Sequence, residues 1–410
     1  LTLGNAASWN AVKNQANDPL PQTKTRPWST TLATRLDIGT LSKPLLINPY
    51  MKQVNYKTID NLPAGNGVCE LEMRIYKPAI DATQLRPIMA IHGGTWTGRG
   101  FSFFGLEASI PFLVDQGHIV FAPFYRLAGN SDGNPECQGA GWREILADIQ
   151  DALFWVRKNG AALGANDQPV KLFGQSAGAH LAVWLATEHP NQVGKVLALY
   201  PPLDALDFFM DRNGEYEAFS NFGRRALLRL YGTRAGISEI NINAINFDGI
   251  DVQSPPESLA NFFPDSVFNF SSITTDRLPP YIQYCADQLS IDPVGINLQT
   301  PSNELLSCIK QDFSDYILAT SYFHKIVATP VSIRVVQGTS DRLVPVQQVV
   351  NLCQILETQS INVNIDQLSG LTERQCGGKL SMQVIKDAGH MLDLGLCIGE
   401  LCPAGAQSSS

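Results

Sequence analysis

Lys171-Leu172-Phe173-Gly174-Gln175-Ser176-Ala177-Gly178-Ala179-His180 places a serine between two glycines where an apolar strand hands over to a helix. Residues 170–173 read as a short buried strand and 177–187 as a helix with a packed face, so Ser176 falls at the junction. In that setting G-x-S-x-G is a nucleophile elbow, a turn tight enough to hold the serine in strained backbone geometry and to expose its hydroxyl. The glycines are needed because a Cβ at either position would collide with the neighbouring strand or helix. A pentapeptide alone also fits an ordinary Gly/Ser turn, so its meaning depends on partners elsewhere in the chain.

Serine is a poor nucleophile at neutral pH; it needs a general base within hydrogen-bond reach and an acid to orient that base. The chain has six histidines. His92 belongs to a glycine motif, His118 opens a strand, His180 and His189 lie in and at the end of the elbow helix, and His324 ends a long insertion. His390, in Asp387-Ala388-Gly389-His390 after the last strand signal, remains as the base. Sheets of this class present their partners in the order Ser, Asp/Glu, His. Asp341, directly after the buried strand 331–336, is therefore preferred as the acid over Asp366, Asp393 and Asp387. His92-Gly93-Gly94-Thr95-Trp96 follows the strand 88–91 and offers an oxyanion hole from the N–H groups of Gly94 and either Gly93 or Thr95, joined by that of Ala177. Trp96, Gln175, Phe208 and Phe209 are candidates for the substrate pocket, although a single aromatic of the insertion serves as well to fill the insertion's own core.

With 410 residues, 44% hydrophobic and 17% charged, the chain has room for one large domain with insertions, or for two. Its 30 basic and 38 acidic residues form no Lys/Arg cluster, which argues against nucleic acid and anionic membrane as partners. No run of about 18 apolar residues is present to span a bilayer. Eight cysteines and a start at Leu1 suggest a processed chain in an oxidising compartment, secreted or periplasmic, with disulfides. Their connectivity is not readable from the sequence, although a local pairing such as Cys285 with Cys308 would close a modest loop. No C-x-x-C stands near histidines, so a zinc site has no support, and the serine chemistry calls for no metal or cofactor. Nothing in the sequence speaks to oligomeric state.

Residues 1–66 read as an irregular N-terminal extension packed on the core. Strand and helix signals then alternate: strands at 71–76, 88–91, 119–124, 170–173 and 196–200, with a long amphipathic helix at 142–162. Such alternation indicates a mostly parallel sheet with helices on both faces. The pattern breaks after Pro201-Pro202, and 203–325 reads as an inserted cap. It resumes with strands at 331–336, 361–365 and 382–385, so the core comprises 67–202 and 326–402.

Taken together, the His92-Gly93-Gly94-Thr95-Trp96, Tyr125-Arg126-Leu127-Ala128 and Gly174-Gln175-Ser176-Ala177-Gly178 motifs, with His180-Leu181, Asp341 and His390, resemble the α/β-hydrolase superfamily. The nearest branch is that of hormone-sensitive-lipase-like and feruloyl/acetyl-xylan-type carboxylesterases. Trp96 and His180 also resemble kynurenine formamidases. The resemblance covers about 67–202 and 326–395, and implies an eight-stranded, mostly parallel sheet with a cap after the sixth strand. It also implies a serine carboxylester hydrolase that works through an acyl-enzyme on a small-molecule or polymer ester, or alternatively an arylformamidase with the same triad. Two departures stand out: Thr95 occupies the place of a usual third glycine, and Gly129-Asn130 follow Tyr-Arg-Leu-Ala where Pro-Glu is common.

Overall fold

In the computed structural model the described residues are 49–60, 67–98, 100–128, 137–210, 220–232, 239–271, 273, 278–357 and 371–390, all within the unit Leu45–Ser410. The main sheet contains β1 (Tyr50–Ile59), β2 (Cys69–Lys77), β3 (Arg86–Ile91) and β4 (His118–Pro123); β5 (Leu127–Ala128) and β6 (Gln138–Ala140) form a separate two-stranded ribbon. It continues with β7 (Val170–Gln175), β8 (Val193–Leu199), β9 (Ser332–Gly338), β10 (Leu371–Cys376) and β11 (Leu380–Ile385). The strand order is β1-β2-β4-β3-β7-β8-β9-β11-β10. From β4 through β11 neighbours pair in parallel, while β1, β2 and β10 join antiparallel at the two ends.

Parallel strands covered on both faces read as unbroken apolar runs. Every residue of β4 and of β11 is buried; β4 is apolar but for His118, whereas β11 also buries Ser381 and Gln383. Among the described residues the sheet has nine strands where eight were expected, and β1 lies within the stretch read as an irregular extension. In β1 only Tyr56 is buried, so this edge strand carries no apolar alternation to betray it. Tyr56 donates its hydroxyl to the Phe124 carbonyl at 2.8 Å, and Lys57 reaches Asp148 and Asp151 at 2.8 and 2.7 Å. The predicted strand at 361–365 lies outside the described residues, as do most of 1–66 and the C-terminal 391–410. The strand beside β11 is instead β10, joined to it by a hairpin through Gly377 and Gly378.

Helices cover the sheet. α1 (Gly100–Asp115) follows β3, and α2 (Trp142–Asn159) precedes β7. α2 starts where Glu144 accepts the Gly141 N–H at 2.9 Å, and it buries Ile145, Ile149, Ala152, Leu153 and Val156 along one stripe. On the same helix the buried Asp148 accepts three hydrogen bonds from the backbone and guanidinium of Arg126, which fixes the Tyr-Arg-Leu-Ala segment against the core. α3 (Ala177–Glu188) follows β7. Among the described residues three disulfides, Cys69–Cys137, Cys285–Cys308 and Cys353–Cys376, tie separate segments together. Each closed loop of this size removes about 3–4 kcal/mol of unfolded-state entropy in the chain-entropy account.

Between β8 and β9 the chain leaves the sheet to form α4 (Ala205–Met210), α5 (Ser220–Tyr231), α6 (Pro280–Leu289), α7 (Asn303–Ala319) and α8 (Phe323–Ala328); α9 (Gln347–Glu357) follows β9. The excursion has its own aromatic core, in which Phe313 packs against Phe209, Tyr231, Phe263 and Phe268. Its two ends are stitched to each other. The Asp204 carboxylate accepts the N–H groups of Asp207 and Phe323, Leu206 N–H donates to Ser321 Oγ, and Gln348 on α9 bonds both Leu203 N–H and the Asp204 carbonyl.

Burial raises Asp204 to about 7, with the neighbouring Asp207 charge adding to it. The folded chain therefore holds a proton on Asp204 that the unfolded chain releases near pH 4. By linkage this carboxyl contributes stability that is full below that value and is lost as pH rises towards 7. Asp204→Asn abolishes the loss. From pH 5 to pH 7 the variant should gain about 2–3 kcal/mol of unfolding free energy relative to wild type in urea titrations. An unchanged difference at the two pH values would refute the protonated carboxyl.

Candidate active site

All the motif loops leave the same edge of the sheet, at the C-terminal ends of the parallel strands β3, β7, β9 and β11, where open α/β sheets bind ligands. Ser176 sits between β7 and α3 with φ 51° and ψ −120°, an unfavourable conformation for a residue with a Cβ. Tight packing enforces it. A Cβ on Gly174 would lie 2.4 Å from the Gly178 carbonyl oxygen, and one on Gly178 would lie 2.2 Å from that of Ile91, so helix and strands can approach only through glycine. Ser176 N–H donates to the Leu199 carbonyl at 2.9 Å, which anchors the turn to β8.

His390 Nε2 lies 3.0 Å from Ser176 Oγ, and its Nδ1 lies 2.8 Å from Asp341 Oδ2. His390 and Asp341 are both buried. The Asp341 carboxylate is saturated with donors: Gln337 Nε2 also reaches Oδ2 at 2.8 Å, while Oδ1 accepts the N–H groups of Leu343 and Val344 at 2.8 and 2.9 Å. The acid and base loops are themselves joined, since Ser340 N–H donates to the Ala388 carbonyl and Asp387 N–H to Thr339 Oγ1.

Sequence reading missed two supporting residues. Tyr200, fully buried just after β8, packs its ring 4.4 Å from the His390 ring. Gln337 donates the same amide group to Asp341 and to the Val344 carbonyl. A signal existed for Gln337: an amide directly after Val335 and Val336, at the end of a strand read as buried, needs partners.

On the other side of the serine, Gly93 touches the elbow; a Cβ there would sit 2.7 Å from the Gln175 carbonyl oxygen. Gly94, Thr95 and Trp96 all have positive φ, of 101°, 54° and 58°. Thr95 thus adopts a left-handed conformation although it is not the glycine usual at this position in the resembling family. Hydrogen bonds hold the strained turn: Thr97 and Gly98 N–H donate to the Gly94 carbonyl at 3.0 Å, and Ala128 N–H donates to that of Trp96 at 2.8 Å. Tyr125 stacks on His92 and donates its hydroxyl to the His92 carbonyl at 3.0 Å, which gives the Tyr-Arg-Leu-Ala motif a local structural task.

Thr95, Ser176 and Ala177 open onto a cavity whose walls, among the described residues, include Trp96, Pro202, Phe208, Leu227, Leu343 and Val344. Two of the four pocket candidates, Trp96 and Phe208, line it. The other two do not: Phe209 turns to Phe313 in the excursion's core, and Gln175 is buried in β7. His180 lies behind the cavity, edge-on to Trp96 and 3.0 Å from the Tyr322 hydroxyl, and burial lowers it to about 3, so it stays neutral. Among the described residues Cys353, Glu357 and Cys376 come close enough together to hold a metal, but the two sulfurs are joined in a disulfide.

Comparison with known proteins shows a BD-FAE family match over residues 73–233. A non-reducing polyketide synthase of Stereocaulon alpinum is 30% identical over 47% of this chain and 7% of its own length. The juvenile hormone esterase of Tribolium castaneum is 32% identical over 32% of this chain and 22% of its own. Esterase LipQ of Mycobacterium tuberculosis is 27% identical over 36% and 33%. The chain thus spans a third or less of the length of these relatives. Among solved structures, a butyrate-bound esterase of Thermogutta terrifontis is similar with a TM-score of 0.44 at 16% identity, over 84% of this chain and 91% of that one. By its strand order, its elbow and its BD-FAE match over residues 73–233, this chain is a protein of the α/β-hydrolase fold.

Proposed function

We propose that this chain is a serine carboxylester hydrolase. The hydrogen-bonded run from Ser176 through His390 to Asp341, ending on an apolar cavity, carries the reading. Two sequence relatives bear the word esterase in their names, which agrees with it.

In the proposed reaction Ser176 Oγ attacks the acyl carbon as its proton passes to His390 Nε2, while Asp341 holds Nδ1–H and stabilises the charged ring. The carbonyl oxygen takes up negative charge and meets the N–H groups of Ala177 and of the Gly93–Thr95 turn, at the positive end of α3. The C–O bond to the alcohol then breaks, and the departing oxygen takes the proton from His390. Water repeats the sequence on the acyl-serine and releases the acid. The segment 203–325 acts as the cap over this centre, on a core of 67–202 and 326–402, and 1–66 as an extension of that core. The three disulfides favour a secreted or periplasmic setting.

A fluorophosphonate probe should label Ser176 alone, as read by peptide mass spectrometry, and p-nitrophenyl acetate should be turned over at least about tenfold faster than N-formylkynurenine. A preference for the formamide would reverse the choice in favour of the arylformamidase. Labelling at another residue would remove Ser176 as the nucleophile.

A further inference from the structure

We propose that Tyr200 is a positioning residue for the base: its ring is the wall that holds the His390 imidazole at the tilt from which it can take the Ser176 proton. The proposal rests on the serine hydrolase reading and adds to it a residue outside the Ser-His-Asp relay.

The relay by itself leaves the imidazole one freedom. His390 is held at its two nitrogens, Nδ1 by Asp341 at 2.8 Å and Nε2 by Ser176 Oγ at 3.0 Å. Two such bonds fix where the ring lies, but they also form a hinge line about which it can tilt. Hydrogen bonds weaken as donor, hydrogen and acceptor leave a straight line, so a tilted imidazole is a poorer base even with both partners in reach. Packing against the ring is what stops the tilt. Tyr200 supplies it, with ring centroids 4.4 Å apart and planes at 57°. The base loop is tied to the acid loop through the backbone of Asp387 and Ala388, which directs the chain towards His390 without touching its ring.

The backbone of Tyr200 shows that this ring is placed at a cost. Its φ is 42°, in the left-handed region, although the residue is bulky and precedes Pro201, a position that favours extended backbone. Its N–H is held on the Val336 carbonyl at 2.8 Å, and its side chain is fully buried. Strained residues persist only where the surrounding structure over-determines them, and they cluster at functional sites. They do so here. Among the described residues seven other than glycine have positive φ, and five of these, Thr95, Trp96, Ser176, Tyr200 and Asp387, stand just beyond the C-terminal ends of β3, β7, β8 and β11. Four of the five lie in the oxyanion turn, the elbow and the base loop; Tyr200 is the fifth.

The end of β8 thus sets the nucleophile and the base from one place. The Leu199 carbonyl accepts the Ser176 N–H at 2.9 Å, and the next residue lays its ring against His390. Ser176 and His390 follow β7 and β11, which β8 and β9 separate in the sheet, so a common reference at β8 fixes their spacing.

The test is kcat, KM and melting temperature on p-nitrophenyl butanoate for wild type, Tyr200→Phe and Tyr200→Leu, with kcat counted per active site titrated to completion by a fluorophosphonate. Tyr200→Leu keeps an apolar side chain but no flat ring. Its kcat should fall about 10- to 100-fold, the loss expected when a reacting group is misplaced by up to about 1 Å. KM should stay near that of wild type, because the lost contact matters when the proton moves and not when the ester binds. The rate of fluorophosphonate uptake should fall in step, since it needs the same proton transfer. Tyr200→Phe keeps the ring and should restore both rates, and Tyr200→Met stands in if Tyr200→Leu does not fold. A folded Tyr200→Leu with wild-type kcat and uptake overturns the proposal, as does a rise in KM alone, which would make Tyr200 a wall of the cavity. A Tyr200→Phe that falls as far as Tyr200→Leu overturns it too, because the ring is then not the agent. Wild type that neither cleaves an ester nor takes up the fluorophosphonate refutes the serine hydrolase reading itself, and the role of Tyr200 with it.

Discussion

Ser176→Ala should leave a folded protein whose kcat on p-nitrophenyl butanoate is lower by about 10^5- to 10^6-fold, the loss seen when a serine nucleophile is deleted from an intact relay. The backbone at 176 is held by bonds that alanine keeps: its N–H on Leu199, and its carbonyl accepting from His180 N–H. The strain of φ 51° is unchanged too, because alanine carries the same Cβ. The hydroxyl loses one partner, His390 Nε2. Melting temperature should therefore move by no more than a few degrees, while the chemistry vanishes. Turnover within about tenfold of wild type, after contaminating esterase has been excluded by mock purification, would eliminate Ser176.

Asp341→Asn should lower kcat by about 10^3- to 10^4-fold, for a reason specific to this carboxylate. Both oxygens are acceptors, Oδ2 for His390 and Gln337 and Oδ1 for Leu343 and Val344, so an amide has no face on which its NH2 meets an acceptor already in place. If the NH2 faces the imidazole, His390 must accept on Nδ1 and carry its proton on Nε2, where it can no longer act as a base. If the NH2 faces the loop, it meets the N–H groups of Leu343 and Val344, two residues that wall the cavity, so KM rises as well. The variant should also lose about 1–3 kcal/mol of stability by denaturant titration, the cost of buried donors left without acceptors. A kcat within tenfold of wild type would show that Asp341 does not orient the base.

What the sequence disclosed and what it hid divide along physical lines. Parallel strands announce themselves by apolar stretches bounded by turn signals, broken only by single polar residues such as Lys171, Lys195 and Arg334, so β3, β4, β7, β8, β9 and β11 were readable to within a few residues. Edge strand β1 was not, since Tyr56 is its one buried side chain, and β10 carries Glu373 and Arg374 on a part-exposed strand. In the candidate site, the residues proposed to react stand in loops with glycine signatures and a fixed chain order, which made Ser176, Asp341 and His390 nameable. Residues that hold them do not. Tyr200 reads as one more aromatic at a strand's end and Gln337 as one more polar residue before a turn, and their tasks emerge only once β8 and β9 lie side by side. Phe208 and Phe209 are adjacent, identical in type and both buried; helix geometry alone sends one to the cavity and the other to Phe313.

The stitched ends of the excursion bear on where the chain tolerates insertions. Phe323 and Asp204 are bonded across 119 positions of sequence, so the two ends of the intervening chain leave and rejoin the sheet side by side, while Arg143 on α2 holds a distant part of it through Asp312. Lengthening a loop beyond the joined ends, away from such contacts, adds chiefly to the entropy of closing it, and doubling a flexible loop costs about 0.6 kcal/mol. Insertions in such a loop leave Ser176, Asp341 and His390, which all stand outside the excursion, in place.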